Sequence, residues 1–399
     1  MQTIRTALNL QTITPSMTLA ITAKSKQLKS EGKDVIGFGA GEPDFDTPEP
    51  IKQAGIKAIN DNFTRYTEVN GTMALRQLIC KKLKEENNLI YEPKNIIVNS
   101  GAKHSLYLAL CAVLNPGEEV IIPVPYWVSY PEMVKIAGGV PVFVQTTAKN
   151  GFKMTQDDLE KALTNKTKMI MINSPSNPTG SVYTKEELEV VANFAVKNNL
   201  LIMTDEIYES IIYGDVKHVS IASLSEDIKK NTITINGLSK TYAMTGWRVG
   251  YAAAEEDIIK AMSSIQGHTV SHPASIAQKA AEAAFSLDKS VVEDMVAQYD
   301  ERRKYMMKYI DDEIKDLSYI MPDGAFYLYV DISKTFGKTY NGVKINCALD
   351  FASALLENYL VAVIPGEGFC TYEYIRLSYA TSMKNIIEGL KRIRDFLNQ

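Results

Sequence analysis

From about residue 95 to residue 250 the sequence alternates short apolar runs with longer amphipathic segments, and this alternation strongly constrains the fold. The apolar runs are typical of strands buried on both faces, and the segments between them repeat their apolar residues with helical spacing. Strands and helices that alternate in this way form a mostly parallel sheet covered by helices. The predicted strands are 96–98, 119–122, 140–144, 169–172, 200–203 and 232–235.

The pattern changes after about residue 290. A helix is predicted over 291–314, followed by strands at 325–330, 361–364 and 374–377 and a last helix over 382–396. The first fifty residues contain little strand signal and a turn-rich segment. We therefore predict an α/β protein with a large domain over 48–289. Residues 290–399 form a smaller α+β domain together with 1–47, an N-terminal arm and crossing segment.

Composition excludes several classes of protein. The formal net charge of −4 gives no basic surface for nucleic acid, and no apolar run approaches the length of a membrane span. The four cysteines lie far apart without CxxC spacing, and the four histidines show no complete set of metal ligands. We expect a cytoplasmic protein with reduced thiols and without a metal ion.

The residues that follow the strands are candidates for a site, because ligands bind beyond the carboxyl ends of strands in an open parallel sheet. Gly101 and Ala102 follow the first strand and open a helical pattern, whose free backbone N–H groups can cradle a phosphate. Asn177 lies between two prolines in the loop after 169–172, and these prolines restrain its amide. Each feature taken alone is equally typical of an ordinary loop.

Two further strand ends carry charged groups. Asp205 follows the strand at 200–203 with Tyr208 close behind, and a carboxylate there needs a cation unless it simply caps the next helix. Lys240 follows the strand at 232–235, where an amine out of bulk solvent loses its proton and becomes nucleophilic. Arg248 offers a planar fork for a phosphate. A reactive amine, an anion site and a buried carboxylate together predict a site for pyridoxal phosphate.

Six segments carry a resemblance to a known family: 39–48 (GAGEPDFDTP), 125–131 (PYWVSYP), 177–180 (NPTG), 205–208 (DEIY), 244–248 (MTGWR) and 376–380 (RLSYA). Over nearly its whole length the chain resembles the class I, fold-type I aminotransferases that depend on pyridoxal phosphate. It is most similar to the bacterial aspartate aminotransferases. The resemblance implies an enzyme of amino-acid metabolism that works as a homodimer with shared active sites.

The resemblance implies a role for each matched residue at the cofactor. Lys240 would bind the cofactor covalently and move the substrate's α-proton, and Asp205 would keep the ring nitrogen protonated. Tyr208 and Asn177 would bond the phenolic oxygen, while Trp127 would stack on the ring. The remaining implied cofactor contacts are Gly101, Ala102, Lys103, Ser239, Arg248 and, from the partner subunit, Tyr66.

The resemblance also implies a substrate pocket. Arg376 would bind the α-carboxylate as a bidentate pair beside Gly39, with Trp127 and Asn177 nearby. Lys103, next to the phosphate cradle, would bind a second carboxylate, which favours aspartate and 2-oxoglutarate. Thr14 stands where some relatives that act on prephenate carry a lysine, which argues against prephenate.

We therefore expect aspartate transaminase activity, with a small-molecule amino acid and a 2-oxo acid as substrates. The reaction is a ping-pong exchange between pyridoxal phosphate and pyridoxamine phosphate. The alternatives are an aminotransferase for aromatic or neutral amino acids and a β-lyase that uses the same cofactor. No basic helix-turn-helix pattern indicates a DNA-binding regulator.

Overall fold

The computed structural model describes residues 11–15 and 17–399, so residues 1–10 and 16 of the predicted arm lie outside the described residues. The helices are α1 Met17–Ser30, α2 Glu49–Asn60, α3 Met73–Asn87, α4 Ala102–Val113, α5 Tyr130–Ile136, α6 Gln156–Ala162, α7 Lys185–Lys197, α8 Glu226–Lys230, α9 Glu256–Thr269, α10 Ser275–Ala284, α11 Lys289–Glu313, α12 Ala348–Tyr359 and α13 Met383–Leu397.

The strands are short, as the apolar runs predict. They are β1 Ile36–Gly37, β2 Ile96–Asn99, β3 Glu119–Val124, β4 Val140–Gln145, β5 Thr167–Asn173, β6 Leu201–Asp205, β7 Thr232–Gly237, β8 Gly250–Ala253, β9 Ser318–Tyr319, β10 Tyr327–Asp331, β11 Thr339–Tyr340, β12 Val343–Lys344, β13 Val361–Ala362, β14 Ile364–Pro365 and β15 Tyr374–Ser378.

Within the described residues, the largest sheet has seven strands in the order β2-β8-β7-β6-β5-β3-β4. The pairs from β7 to β4 are parallel, whereas β8 is antiparallel to both β2 and β7. The predicted, mostly parallel α/β sheet is therefore confirmed. The antiparallel strand β8 was not predicted, because its sequence of glycine, tyrosine and two alanines lacks the β-branched residues typical of strands.

Both faces of this sheet are covered, because successive strand residues point to opposite sides and are apolar on each side. Met169 and Met171 of β5 pack in a cluster with residues of α4, α5 and α9. Ile170 and Ile172 of the same strand pack in a cluster with residues of α6 and α7. Because helices cover both faces of the sheet, its polar side chains can reach a cavity only at the ends of the strands.

The C-terminal part forms a second, antiparallel sheet in the order β14-β15-β10-β9. Its core contains side chains of α11, α12 and α13, and it also includes Ile207 and Tyr208 from the segment after β6. This segment therefore contacts both sheets and joins them at the strand ends. The division into domains at 48–289 and 290–399 with 1–47 stays a prediction.

Three local predictions can be compared directly with the structure. Thr184 and Glu187 form the reciprocal hydrogen bonds of a capping box at the start of α7. The run predicted as one strand at 361–364 is two strands, since Val361 pairs with Ile36 while Ile364 pairs with Arg376. The N-terminal segment, read only as an arm, contains helix α1.

Candidate active site

A cavity of about 310 Å³ lies beyond the carboxyl ends of β5, β6 and β7. Side chains from both sheets reach it, so that residues distant in sequence line the same cavity. Most of the residues predicted for the site line this cavity: Ala102, Lys103, Trp127, Asn177, Asp205, Tyr208, Ser239, Lys240, Arg248 and Arg376. The structure thus brings together the residues that the four strand ends indicated.

Lys240 reaches the cavity from the segment after β7, and its ammonium donates a hydrogen bond to the carbonyl oxygen of Gly41. Burial lowers the pKa of Lys240 to about 8, although the nearby carboxylate of Glu42 opposes this shift. The charges of Arg248 and Arg376 lower it further. With this pKa, a substantial fraction of the molecules have a neutral Lys240 amine near pH 8. Nucleophilic attack and proton transfer both require the neutral form.

Asp205 ends strand β6 as a buried carboxylate without a direct ion-pair partner among the described residues. Burial raises the pKa of Asp205 to about 6, while hydrogen bonds from Tyr130 and from the N–H of Ile207 favour its charged form. The Tyr130 hydroxyl donates to the Asp205 carboxylate at 2.7 Å. A cation in the cavity would complete this arrangement, because a buried carboxylate is costly without one.

Arg248 lines the cavity, and Gly101, which does not, packs against its guanidinium. Gly101 has φ +88°, and a Cβ there would lie 2.3 Å from Nη2 of Arg248, so only glycine lets the guanidinium approach this closely. Helix α4 starts at Ala102 without a side-chain cap at its N-terminus. Free N–H groups at a helix start beside an arginine form an anion site.

Arg376 is only 2% exposed and is held by two neutral acceptors. Its Nη1 donates to Oδ1 of Asn177 at 2.8 Å, and its Nη2 donates to the carbonyl oxygen of Gly39 at 2.9 Å. Its Nε has no hydrogen-bond partner in the part of the chain that the structure describes. The planar guanidinium lies over the ring of Tyr327, 4.3 Å from the centroid. A buried arginine without a carboxylate partner is prepared to bind an anionic ligand.

Lys103 supplies another cation at the cavity. Its Nζ lies 4.8 Å from the centroid of the Trp127 ring, and burial followed by the nearby charge of Arg248 lowers the pKa of Lys103. Cations close together in a cavity repel one another until an anion binds between them. The cavity is therefore suited to a ligand with more than one negative group.

Tyr208 and Tyr327 bring their hydroxyl groups together at 2.8 Å. Tyr327 was not predicted for the site, and neither were Tyr130 and Thr18, which also line the cavity. Tyr130 lies within the segment at 125–131 that carried the resemblance. Its position three residues after Trp127 could have indicated that it belongs to the site. Thr18 and Tyr327 lie in α1 and β10, where nothing in the local sequence indicates a site.

Tyr66 does not line the cavity and is 89% exposed. Its ring lies edge-on to His272 with the centroids 5.6 Å apart. A large aromatic side chain that is this exposed fits a contact with another molecule, which matches the predicted role toward a partner subunit. That role stays a prediction.

A group of possible metal ligands lies outside the cavity. Glu206, Glu209 and His218 are close enough to share an ion, which sequence spacing did not reveal. Lys82 already forms an ion pair with Glu209, and His218 lies 3.2 Å from Glu206. Lys82 and His218 therefore already contact these two carboxylates, and the prediction of no metal stays a prediction.

The comparisons with known proteins agree with this geometry. The sequence matches the family described as "Aminotransferase class I and II" over residues 33–393. The chain belongs to this family. Aminotransferases of classes I and II depend on pyridoxal phosphate, and the protein is a pyridoxal-phosphate enzyme.

Individual relatives are similar over nearly their full length. The aspartate aminotransferase of Bacillus sp. strain YM-2 is 49% identical over 388 residues, covering 97% of each chain. The aspartate/prephenate aminotransferase of Nitrosomonas europaea is 46% identical, covering 97% of this chain and 98% of its own. The structure of Thermus thermophilus aspartate aminotransferase with maleate superposes with a TM-score of 0.92 at 38% identity, covering 98% and 99% of the two chains.

The residues of this aminotransferase fit the cofactor on structural grounds. A Cβ at Gly101 would clash with the Arg248 guanidinium, so the glycine lets this cation lie beside the uncapped N-terminus of α4, where a phosphate can bind. Asp205 is a buried carboxylate in need of a cation, and Lys240 has an amine whose pKa is lowered to about 8. These are the three partners that a phosphorylated aldehyde with a basic ring nitrogen requires.

We expect Tyr130→Phe to raise the pH at which the aminotransferase loses cofactor affinity. The wild-type apoprotein should bind pyridoxal phosphate less tightly as the pH falls and Asp205, with a pKa of about 6, takes up a proton. Loss of a hydrogen bond to a charged group, worth about 1.5–3 kcal/mol, should move this transition upward by roughly one to two pH units. Fluorescence titration at several pH values measures it, with Tyr340→Phe in the buried C-terminal core as a control. An unchanged transition would show that Tyr130 does not support the carboxylate.

Proposed function

We propose that this enzyme transfers the amino group of L-aspartate to 2-oxoglutarate in a ping-pong reaction. The observation that carries the proposal is the presence of two cationic side chains, Arg376 and Lys103, around the cavity that contains Lys240. Two cations in addition to the phosphate site suit a substrate with two carboxylates. The relatives named aspartate aminotransferase and the Thermus structure with maleate support the same substrate class.

Arg376 is proposed to bind the α-carboxylate, which all amino acids share. Asn177 and Gly39 fix the guanidinium by accepting from Nη1 and Nη2, and the remaining N–H groups of these two nitrogens are proposed to bind the ligand. Because these two acceptors are neutral, the positive charge of the arginine remains available to the substrate. Lys103 is proposed to bind the distal carboxylate.

When bound, pyridoxal phosphate supplies a carbonyl that takes up the amino group and a ring that withdraws electrons from the substrate's α-carbon. Lys240 is proposed to hold the cofactor covalently at rest and to carry the α-proton at its Nζ during amino transfer. Asp205 is proposed to accept a hydrogen bond from the protonated ring nitrogen. Tyr130 then keeps this carboxylate in its charged form.

The remaining predicted residues are proposed to orient the cofactor. Asn177, whose Oδ1 accepts from Arg376, offers its Nδ2 to the phenolic oxygen, and Tyr208 offers its hydroxyl there. Trp127 is proposed to pack against the ring. The phosphate contacts are proposed to come from Gly101, Ala102, Ser239, Arg248 and the backbone N–H of Lys103, whose side chain is left for the substrate.

The proposed assembly is a cytoplasmic homodimer in which Tyr66 reaches the partner's cofactor phosphate. Ile56 and Ile59 of α2 are 48% and 52% exposed, and Tyr66 is 89% exposed, so this part of the surface has apolar area to bury. No helix in the described part of the chain is long and apolar enough to cross a membrane. Light scattering on the purified holoenzyme gives the mass, and a monomer would contradict the shared site.

We expect Lys103→Met to lower kcat/KM for aspartate by about 10- to 100-fold, since a hydrogen bond to a charged group is worth about 1.5–3 kcal/mol. Turnover of phenylalanine, which has no distal carboxylate, should change little and serves as the internal control. Steady-state assays with both amino donors measure the two values. An equal loss for aspartate and phenylalanine would remove the basis for a dicarboxylate substrate and favour the aromatic or neutral alternative.

A further inference from the structure

Glu209 is a buried carboxylate outside the cavity, in a network that the proposed reaction does not use. Its Oε1 accepts from Nδ2 of Asn236 at 2.6 Å and also from Lys82, and its Oε2 accepts from Nδ2 of Asn87 at 2.7 Å. Burial alone would raise the pKa of Glu209, but the charges of Lys82 and His218 lower it below its usual value. The carboxylate is therefore ionised and bound from three sides.

The position of this carboxylate connects it to the active site. Glu209 directly follows Tyr208 on the segment that begins with Asp205, and Asn236 lies on the segment that leads to Lys240. The parallel pairing of β6 with β7 extends to Asp205 opposite Ile235. The hydrogen bond between Glu209 and Asn236 adds a side-chain contact just beyond this last backbone pair of β6 and β7.

Asn236 is held at both ends of its amide. Its Nδ2 donates to Glu209 and its Oδ1 accepts from the backbone N–H of Gly237 at 2.7 Å. Bonds to a charged acceptor are stronger than neutral ones, and buried networks with satisfied members are rigid. Such a link restrains the backbone that carries Lys240, and catalytic groups need placement within about 0.5 Å.

We propose that Glu209 and Asn236 are positioning residues, whose hydrogen bond holds the Lys240 segment in register with the segment of Asp205 and Tyr208. The proposal rests on the proposed roles of Lys240 and Asp205. Neither residue lines the cavity, so both act through their neighbours.

The first test compares Asn236→Ala with Asn87→Ala. Each change removes one amide donor from the same carboxylate, but Asn87 ends helix α3, and its side-chain hydrogen bonds within the described residues are to Glu209 and Lys82. Asn236→Ala should lower kcat by roughly 10- to 100-fold with little change in KM, because small misplacements of catalytic groups have effects of this size. It should also change the visible circular dichroism of the bound cofactor. Asn87→Ala should lower the unfolding temperature but leave kcat within about twofold.

The second test exchanges the two groups. Glu209→Gln weakens the hydrogen bond to Asn236 because it removes the negative charge of the acceptor. Asn236→Asp breaks it because it places two carboxylates together. The double variant retains one carboxylate and one amide across the same contact, so it should recover most of the kcat and of the dichroism signal. If Asn236→Ala does not fold, Glu209→Gln keeps the side-chain volume and takes its place in the first comparison.

Equal losses of kcat in Asn236→Ala and Asn87→Ala, or no recovery in the exchanged double variant, would overturn the positioning role. These outcomes are ratios between variants, measured with the amino donor that the wild-type enzyme uses best. Failure of the wild-type enzyme to use aspartate is a separate result, and it would contradict the substrate proposal and leave the ratios interpretable.

Discussion

Lys240→Ala is expected to lower the rate of amino transfer by about 10⁴-fold or more, the upper end of what a positioned acid–base group contributes. Lys240 combines a place in the cavity with a pKa of about 8, which makes its amine both a base and a nucleophile near neutral pH. Alanine removes the covalent attachment of the cofactor and the proton carrier together. Stopped-flow measurement of the aspartate half-reaction gives the rate.

The site of attachment gives an independent readout. Treatment of the wild-type holoenzyme with borohydride should fix the cofactor on the peptide that contains Lys240, as mass spectrometry can show, and the variant should release it. Lys153→Ala is a matched control, because Lys153 is a partly buried lysine that pairs with Glu187 away from the cavity. Attachment to another lysine, such as Lys103, would contradict the assignment.

Arg376→Lys is expected to raise KM for every amino acid substrate by roughly 10²- to 10³-fold, because removing one partner of a buried charged pair costs about 2–5 kcal/mol. Lysine keeps the charge but loses the planar fork that Asn177 and the Gly39 carbonyl hold in place. The loss should be similar for aspartate and phenylalanine, since both carry the α-carboxylate. Steady-state kinetics with both donors distinguishes this pattern from that of Lys103.

Arg303→Lys is the control for this change. Arg303 is also buried, but it donates to Asp300 and to the carbonyl oxygen of Pro322 away from the cavity. It should lower stability without a selective change in KM. An unchanged affinity of the Arg376→Lys enzyme for amino acids would contradict the assignment of Arg376 to the α-carboxylate.

Much of the site followed from the sequence because the carboxyl ends of parallel strands meet at one edge of a sheet. Asn173 pairs with Asp205, and Asp205 pairs with Ile235, so the residues just beyond them fall around one cavity. An approximate strand order is enough to predict which strand ends lie close together. Asp205 and Lys240 could therefore be predicted to be neighbours without any knowledge of the C-terminal sheet.

The cavity residues that come from the C-terminal sheet could not be predicted from the local sequence. Ile364 pairs with Arg376 and Ile36 pairs with Val361, and such pairings between distant segments leave no periodic signal in either one. Tyr327 reaches the cavity because of this packing. The Asn236 and Glu209 contact was equally hidden, since polar residues after strands are common and only the structure shows which ones meet.

The proposed transamination of aspartate is tested most directly by the visible absorption of the holoenzyme after addition of L-aspartate without an oxo-acid acceptor. We expect the absorption of the pyridoxal form to be replaced by that of the pyridoxamine form, with release of a matching amount of oxaloacetate. A spectrum that does not respond to aspartate but responds to phenylalanine or alanine would contradict the proposed substrate and the role of Lys103.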